Sequence, residues 1–350
     1  MKREYNIAII GATGNAGRKT VQILEERKFP VSSLQLVASE KSAGKIVSFR
    51  RENLKVRPFF EIDFSNVQLA FFCVNNALSR KYVPTVTGKG CVVVDKSSYF
   101  RLDPKVPLVI PEVNGDMLHK GAPLGVISTP NCVAIPLIMT LKALSQITTL
   151  KRAIISTYQS VSGAGRRAMD ELYAQTKNLM CAQEFVSEVF QKQIAYNIIP
   201  AIGDLLSNGN TEEEEKISSE VCKMLKSDIK VAVTCVRVPV FIGHCLSVAC
   251  EFKGAVSEKD AFDAFENFDG IVCVDRRDNG GAFVTPIDVQ NEDSVYVSRI
   301  RRDASVKNGL IYWIASDNLR KGAALNSVQI AEEMIKTAPN LSIFKRRLAT

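Results

Sequence analysis

Cys132 is the residue whose position is best suited to nucleophilic chemistry. It ends the segment 128–132 (STPNC), which follows a strand-like run, and an apolar helical segment begins directly after it. A cysteine at a helix N-terminus has a lowered thiol pKa because the helix dipole favours the thiolate. The sequence position alone leaves open whether Cys132 is reactive or structural. Other cysteines lie in apolar, strand-like runs typical of an inert core: Cys73, Cys91, Cys235, Cys250 and Cys273.

A histidine and an arginine could complete such a site. The chain has two histidines. His244 follows a glycine at a predicted turn between two strands, whereas His119 lies in a polar loop. We expect His244 to be accessible and to serve as the acid or base that a thiolate enzyme needs near neutral pH. Arg237 lies in an otherwise apolar strand, where it would either bind a substrate carboxylate or form a structural salt bridge.

The elements that must position these side chains begin with a strand, a glycine-rich turn and a helix. Residues 5–10 have the composition of a buried strand, GATGNAG occupies 11–17, and residues 18–27 are predicted to be helical. This order is typical of a dinucleotide-binding fold. Its glycines let the backbone approach a pyrophosphate, and the free N–H groups at the helix start bind the charge.

A second predicted strand, 34–38, ends in the polar segment 39–42 (SEKS). In a dinucleotide fold this strand end meets the adenosine ribose. The hydroxyls and the lysine suit the 2′-phosphate of NADP, whereas Glu40 suits the free 2′-hydroxyl of NAD. A plain polar turn is a third interpretation.

The remaining pattern predicts the fold class. Strand-like runs with helical stretches between some of them continue to residue 128, which indicates a parallel, doubly wound sheet. After Cys132, strands without intervening helices indicate a mixed sheet. We therefore predict an α/β protein with an N-terminal doubly wound, Rossmann-like dinucleotide-binding domain (1–131) and an α+β substrate and dimerisation domain (132–318). A final helix, within about 319–350, is expected to pack back on the first domain. The predicted strands are 67–74, 91–95, 108–110, 125–128, 151–159, 231–238, 246–252, 294–299 and 310–315, and the predicted helices are 133–144, 163–177 and 319–336.

Composition excludes several protein classes. Of 350 residues, 46% are apolar and 23% charged, which argues against a disordered chain or a small disulfide scaffold. No apolar run approaches the roughly 18 residues of a membrane helix, and the N-terminal run is too short for a signal peptide, so we expect a cytoplasmic protein. The net charge of +8 is spread along the chain, which favours small anionic substrates over nucleic acid. The nine cysteines lack zinc-type spacing, so no metal is expected.

Long motifs in a matching order show that the chain resembles the aspartate-β-semialdehyde dehydrogenase family over nearly its whole length. Several of these motifs are rarely met elsewhere, and their combination is more specific than any one of them. The matching stretches are GATGNAG (11–17), SEKSAGK (39–45), VVDKSSYFR (93–101), PLVIPEVN (107–114), TPNC (129–132), TYQSVSGAG (157–165), NIIP (197–200), RVPVFIGH (237–244) and DNLRKGAALNSVQIAE (317–332).

The resemblance implies a role for particular residues. Cys132 would be the nucleophile that forms an acyl-enzyme thioester, Gln159 would orient the acyl group, and His244 would be the acid/base. The substrate would be bound through its carboxylate, amine and phosphate by Arg237, Glu213, and Lys216 with Arg101 and Asn131, respectively. The cofactor set would comprise Gly11, Thr13, Gly14, Asn15, Ala16 and Gly17 at the pyrophosphate, Ser39, Lys41 and Ser42 at the 2′-phosphate end, and Ser162, Gly163 and Asn318 at the nicotinamide end.

The register of the Glu213 and Lys216 pair depends on the resemblance. Four consecutive glutamates at 212–215 are usually a solvated helix face, and Glu220 with Lys223 has the same spacing. Both registers therefore stay open on the residues alone.

The implied reaction is the reversible, NADPH-dependent reductive dephosphorylation of L-aspartyl-4-phosphate to L-aspartate 4-semialdehyde. It would supply lysine, diaminopimelate, threonine and methionine synthesis, and the family forms homodimers or homotetramers. The alternatives are an N-acetyl-γ-glutamyl-phosphate reductase and a catalytically silent NADP-binding protein. The chain departs from the family pattern at Lys41, at the loop 73–76 (CVNN), at Lys96, and at Thr129 and Val133 beside the nucleophile.

Overall fold

The computed structural model describes residues 3–277 and 281–346, which form two compact units. One unit combines the N-terminal segment up to Asn131 with the C-terminal segment from Ala323, and the other runs from Cys132 to Gly322. Residues 347–350 of the predicted C-terminal helix lie outside the described residues.

The first unit is built on a parallel sheet. Its strands lie in the order β5-β2-β1-β6-β7-β8, and all neighbouring pairs are parallel. A short antiparallel hairpin, β3-β4, lies beside it. The elements are β1 Tyr5–Ile10, α1 Asn15–Glu26, β2 Val31–Ala38, β3 Ile46–Phe49, β4 Glu52–Lys55, β5 Arg57–Pro58, β6 Leu69–Phe72, α2 Asn76–Gly88, β7 Val92–Asp95, α3 Pro111–Asn114 and β8 Val126–Ser128.

The second unit contains a mixed sheet. Strand β10 is parallel to β9, β9 is antiparallel to β11, and the order continues through β14, β13 and β12. Its elements, followed by the C-terminal helix of the first unit, are α4 Ala134–Ser145, β9 Leu150–Gln159, α5 Arg166–Met180, α6 Glu212–Leu225, β10 Lys230–Arg237, β11 His244–Phe252, α7 Glu258–Glu266, β12 Ile271–Cys273, β13 Val295–Arg302, β14 Gly309–Ser316 and α8 Leu325–Thr337.

The C-terminal helix α8 completes the core of the first unit. Ile9 of β1 and Phe71 of β6 are fully buried in the same apolar cluster as Val328 and Met334 of α8. Central parallel strands are buried on both faces and therefore need helices on each side. Helix α8 supplies part of that cover after the chain has formed the whole of the second unit.

The predicted fold class is confirmed, with one strand predicted wrongly. Residues 108–110 form only an isolated bridge between Leu108 and Ser128. The side chain of Asn114 bonds backbone groups that a neighbouring strand would otherwise bond. Its Oδ1 accepts from the Ile110 N–H at 3.0 Å, and its Nδ2 donates to the Leu108 carbonyl at 2.9 Å. This apolar run therefore turns into α3 instead of extending a ladder.

Other differences concern element ends and short elements. Helix α1 begins at Asn15, three residues before the predicted start, so the glycine-rich turn leads directly into it. The last predicted helix begins with a π-helical turn, Arg320–Ala324, before α8. Helices α2, α3 and α7 and strands β3, β4 and β5 were not predicted, because they are short or weakly periodic. Strand β12 was indicated only by the strand-like run around Cys273. Along residues 3–277 and 281–346, no helix has the length and apolar character needed to cross a membrane.

Candidate active site

Strand topology gathers the predicted catalytic side chains at one edge of the mixed sheet. The parallel strands β9 and β10 end together, with Gln159 opposite Arg237. The antiparallel strand β11 begins at the same edge with His244, opposite Ser316 at the end of β14. Asn318 follows two residues later. Residues far apart in the chain therefore converge because their strands start or end at this edge.

Gly243 determines where β11 begins. Its φ is +99°, and a Cβ there would lie 2.7 Å from the Pro286 carbonyl oxygen, so neither the conformation nor the space suits a side chain. Its N–H donates to Asn318 Oδ1 at 3.0 Å. The tight turn thus fixes His244 at the first position of the strand.

His244 is buried, and the expectation that it is accessible was wrong. The side chain is 0% exposed, because the turn folds it under the chain segment that follows β9. Its Nδ1 accepts from the Ser160 N–H at 3.0 Å, whereas Nε2 has no hydrogen-bond partner among the described residues. Burial first, and the Arg237 charge second, lower the pKa of His244 to about 3, with the Gly243 backbone opposing them.

This depressed pKa predicts a pH-dependent stability. The unfolded chain takes up a proton near pH 6.5, and the folded chain takes it up only near pH 3. The free energy of unfolding should therefore be fully retained above about pH 6.5 and should fall as the pH drops towards 3. We expect His244 to account for about 3 kcal/mol of the loss at about pH 4. Denaturant titrations of the wild type and of His244→Gln, at about pH 6.5 and about pH 4, measure the difference in this loss.

The matched control is His119→Gln, since His119 is exposed. The free energy of unfolding of His119→Gln should fall by the same amount as that of the wild type when the pH is lowered. Equal losses in wild type and His244→Gln would contradict the burial of a neutral imidazole.

Cys132 lies just before helix α4, as predicted. It is partly exposed, and the helix begins at Ala134 with Val133 as its N-cap residue and no side-chain cap. Gly322 packs against it so closely that a Cβ would lie 3.1 Å from the Cys132 Cβ. The Arg237 guanidinium interacts electrostatically with Cys132. A partly exposed thiol beside a helix N-terminus and a guanidinium is in surroundings that favour a nucleophilic thiolate.

Arg237 and Glu213 form the charged part of this site. Arg237 is 7% exposed, and its Nη1 donates to the Ser160 carbonyl at 2.8 Å. Burial lowers the pKa of Arg237, and the Glu213 carboxylate is the largest opposing influence. Gln159 Nε2 donates to Glu213 Oε1 at 3.2 Å. Of the two glutamates that the sequence left open, Glu213 is therefore the one that contacts the predicted catalytic residues, which favours the Glu213 and Lys216 pair over Glu220 and Lys223.

Two further predicted residues lie in the second unit. Lys216 Nζ pairs with Glu212 Oε2 at 2.9 Å on the surface of α6. Gly163 lies in a 3₁₀ turn, Val161–Ala164, and a Cβ there would lie 3.3 Å from His244 Nε2 and 3.2 Å from Arg237 Nη1. The glycine therefore leaves open the space that both side chains face.

Close backbone approach fixes the glycine-rich turn of the first unit. A Cβ on Gly17 would lie 2.1 Å from the Gly11 carbonyl oxygen, and one on Gly11 would lie 2.3 Å from the Cys73 carbonyl oxygen. Gly14 is the N-cap residue of α1, exposed and without a side-chain cap. Helix N–H groups at such an open end are suited to a diphosphate. Thr13 Oγ1 lies 3.4 Å from Ser42 Oγ, which joins the turn to the segment after β2.

A cavity of about 590 Å³ adjoins this turn. Ser39 and Lys41 line it, as does Glu40, and all three are exposed. Its other wall is apolar and includes Phe59 and Phe60, the latter 73% exposed. Sequence reasoning missed these two aromatic residues. The sequence feature that could have indicated them is a pair of phenylalanines directly after the short edge strand β5.

Most departures from the family pattern have a structural explanation. Asn75 caps α2 through its Oδ1, which accepts from the Leu78 N–H at 3.1 Å. Lys96 donates to Thr20 Oγ1 at 2.6 Å, and burial lowers its pKa. Thr129 Oγ1 accepts from Asn326 at 2.7 Å. These side chains organise the first unit internally.

Arg101 and Asn131, predicted to bind phosphate, are both nearly buried in the first unit. Arg101 Nε donates to the Thr129 carbonyl at 3.0 Å, and its Nη2 donates to the Lys96 carbonyl at 2.8 Å. Its guanidinium is therefore held rigidly by the strand ends around it.

Buried cysteines behave as inert core residues. Burial raises the pKa of the Cys91, Cys235 and Cys250 thiols. Cys73 differs from the prediction, because it follows β6 and lines the cavity at the glycine-rich turn.

Comparisons with known proteins give a consistent result. Residues 6–121 match the model described as semialdehyde dehydrogenase, NAD binding domain, and residues 141–321 match the semialdehyde dehydrogenase dimerisation domain. The aspartate-semialdehyde dehydrogenase of Rickettsia bellii is 50% identical over 96% of this chain and 99% of its own length. The enzyme of Aquifex aeolicus is 40% identical over 95% and 98%. The crystal structure of aspartate semialdehyde dehydrogenase II complexed with ASA from Vibrio cholerae superimposes with a TM-score of 0.93 at 39% identity, covering 95% and 99%.

Proposed function

This chain belongs to the semialdehyde dehydrogenase family, and we propose that it is an aspartate-semialdehyde dehydrogenase. The reaction is the reversible reductive dephosphorylation of L-aspartyl-4-phosphate to L-aspartate 4-semialdehyde with NADPH. Relatives of that name match almost the whole chain. The product would enter lysine, diaminopimelate, threonine and methionine biosynthesis.

The observation that carries the proposal is the convergence of Gln159, Arg237 and His244 at one sheet edge. Arg237 interacts electrostatically with both Glu213 and Cys132. Arg237 can bind the substrate carboxylate and Glu213 its ammonium group, and Arg237 also interacts with the candidate nucleophile. An amino-acid acyl phosphate presents this pair of charges next to its reactive carbonyl, so charge and geometry support the same substrate.

In the proposed mechanism, the Cys132 thiolate attacks the acyl carbonyl carbon, a C–S bond forms, and inorganic phosphate leaves. Gln159 orients the acyl group, Arg237 binds the carboxylate, and Glu213 binds the amine. Lys216, Arg101 and Asn131 bind the phosphate. The nicotinamide, when bound, supplies the hydride that reduces the thioester carbon. His244 would give a proton to the oxyanion that forms on this carbon and take it back as the C–S bond breaks, so that the semialdehyde leaves and Cys132 returns to the thiolate.

The residues of the glycine-rich turn fit a dinucleotide. The gaps at Gly11 and Gly17 are closed to any side chain, whereas the N-terminus of α1 at Gly14 is open. Thr13, Asn15 and Ala16 would bind the pyrophosphate, and Ser39, Lys41 and Ser42 the 2′-phosphate end. Phe59 and Phe60 offer apolar surface for the adenine. Ser162, Gly163 and Asn318 would hold the nicotinamide end. The exposed ammonium of Lys41 supports NADP over NAD.

We further propose a cytoplasmic homodimer or homotetramer. The second unit matches a model described as a dimerisation domain. All nine cysteines are free thiols, which suits a reducing compartment.

The Glu213→Gln variant tests the substrate assignment. An uncharged amide binds the substrate ammonium less strongly, so we expect KM for L-aspartate semialdehyde to rise about 30-fold. Steady-state reduction of NADP⁺ in phosphate buffer measures this. Glu215→Gln is the matched control, because Glu215 lies on the same helix turn and binds Asn208 and Asn210 instead.

An unchanged KM in Glu213→Gln would contradict the amine contact. Turnover of N-acetyl-glutamate semialdehyde instead of aspartate semialdehyde would show that the chain acts on an acetylated, uncharged amine.

A further inference from the structure

A hydrogen-bonded pair of side chains lies on one face of β9, at the sheet edge where the predicted catalytic residues converge. Thr157 and Gln159 are two residues apart and therefore point to the same face of the strand. Both are buried, with exposed fractions of 0% and 1%. Thr157 Oγ1 donates to Gln159 Oε1 at 3.0 Å, and Gln159 Nε2 donates to Glu213 Oε1 at 3.2 Å. The Gln159 amide is therefore held at both of its ends.

The neighbours of the Gln159 amide determine which end is the nitrogen. The Glu213 carboxylate only accepts hydrogen bonds, so the end of the amide that faces it must be Nε2. The other end is then the oxygen, which also only accepts. It needs a donor, and the Thr157 hydroxyl is the group that lies within hydrogen-bond distance of it.

The surroundings of Thr157 leave its hydroxyl hydrogen for this contact. The Val236 N–H donates to Thr157 Oγ1 at 3.3 Å, and a backbone N–H cannot accept. The Cys235 thiol is also hydrogen-bonded to Thr157. Burial raises the pKa of this thiol, so the thiol keeps its hydrogen and can donate it to the second lone pair of Oγ1. The Thr157 hydrogen is therefore directed at Gln159 Oε1.

This orientation presents the N–H groups of Gln159 to the site. Nε2 carries two hydrogens, so it can donate to Glu213 and also to the oxygen of an acyl group. The acyl oxygen gains negative charge when a thiolate attacks the carbonyl carbon. A hydrogen-bond donor stabilises that charge, whereas an amide oxygen in the same place would repel it. Gln159 can therefore assist such a reaction only with its amide in this orientation.

We propose that Thr157 is a positioning residue that holds the Gln159 amide with its N–H groups towards the substrate. The Glu213 carboxylate shares this task in the free protein, but a bound substrate ammonium competes for the same carboxylate. The Thr157 hydroxyl is buried and keeps its bond to the amide oxygen throughout the reaction. This inference rests on the proposed function for its catalytic part, whereas the contact between Thr157 and Gln159 does not depend on any substrate.

Thr157→Val tests the proposal, because valine has nearly the same shape as threonine and lacks the hydroxyl. We expect kcat for L-aspartate semialdehyde to fall about tenfold, because the amide loses the bond that orients it. KM should stay within about twofold of the wild type, since Arg237 and Glu213 still bind the substrate charges. Thr157→Ser keeps the hydroxyl and should restore kcat. Thr149→Val, at an exposed position directly before β9, is the matched control and should equal the wild type.

A double-variant cycle separates positioning from a merely structural role, because Thr157→Val also deprives the Val236 N–H of its acceptor. If Thr157 acts through Gln159, adding Thr157→Val to Gln159→Ala should lower kcat by less than about twofold further. A further loss of about tenfold in that background would overturn the proposal. A wild-type kcat in Thr157→Val would overturn it too, as would a Thr157→Ser variant as slow as Thr157→Val.

The same cycle has a second readout that needs no substrate. Denaturant titrations give the unfolding equilibrium constants of the wild type, the two single variants and the double variant. A direct hydrogen bond couples the two side chains, so the double variant should be destabilised about fivefold less than the product of the single effects. Independent effects would overturn the contact. If this coupling is present but the wild type does not turn over aspartate semialdehyde, the proposed function and the catalytic role of Thr157 are refuted, whereas the contact stands.

Discussion

Cys132→Ser is expected to lower phosphate-dependent turnover of L-aspartate semialdehyde by about 10³-fold or more. A serine hydroxyl stays protonated near neutral pH. The helix N-terminus and Arg237, which favour the Cys132 thiolate, therefore cannot turn the serine into an equivalent nucleophile. The partly exposed thiol lies directly before α4, and the substitution changes one atom. Stopped assays of NADP⁺ reduction and the thermal midpoint of unfolding measure activity and folding separately.

Cys181→Ser is the matched control, because Cys181 is an exposed free thiol at the end of α5. It should keep full activity. Cys132→Ser activity within about tenfold of the wild type, in protein that remains folded, would refute Cys132 as the nucleophile.

Arg237→Lys is expected to raise KM for the semialdehyde about 30-fold. A lysine keeps the positive charge but loses the planar, two-pronged geometry that binds a carboxylate, which corresponds to about 2 kcal/mol. The Arg237 Nη1 bond to the Ser160 carbonyl also holds the segment that contacts His244. We therefore expect a smaller fall in kcat beside the rise in KM, both visible in steady-state kinetics.

Arg152→Lys makes the same change on the neighbouring strand β9, at an exposed position opposite Lys230. Its kinetics should equal those of the wild type. If Arg237→Lys changes neither KM nor kcat, Arg237 does not bind the substrate carboxylate. Its role is then structural, which is the alternative that the sequence left open.

Local patterns predicted the strands and the glycine-rich turn well, because both depend on residues close in sequence. The run 5–10, the GATGNAG turn and the strand ending at Gln159 all lie where the sequence predicted them. The strand predicted at residues 108–110 was wrong for a reason that is also local. The side chain of Asn114, four to six residues further along, satisfies backbone groups that a strand would otherwise pair, and an apolar run does not reveal this.

Burial at the site could not be predicted from spacing. A glycine before a histidine indicates a turn, and turns are usually exposed. His244 is buried nevertheless, since the segment after β9 packs over it and supplies its hydrogen-bond donor. The contact between Gln159 and Glu213 likewise depends on the packing of α6 against β10, which no local pattern reveals.

The central claim is tested most directly by reduction of NADP⁺ and NAD⁺ with L-aspartate 4-semialdehyde, in the presence and absence of inorganic phosphate. The account predicts turnover that requires phosphate and is faster with NADP⁺, because the thioester is released by phosphate and Lys41 favours the 2′-phosphate. No phosphate-dependent turnover with either cofactor, from folded protein that binds NADP⁺, would contradict it.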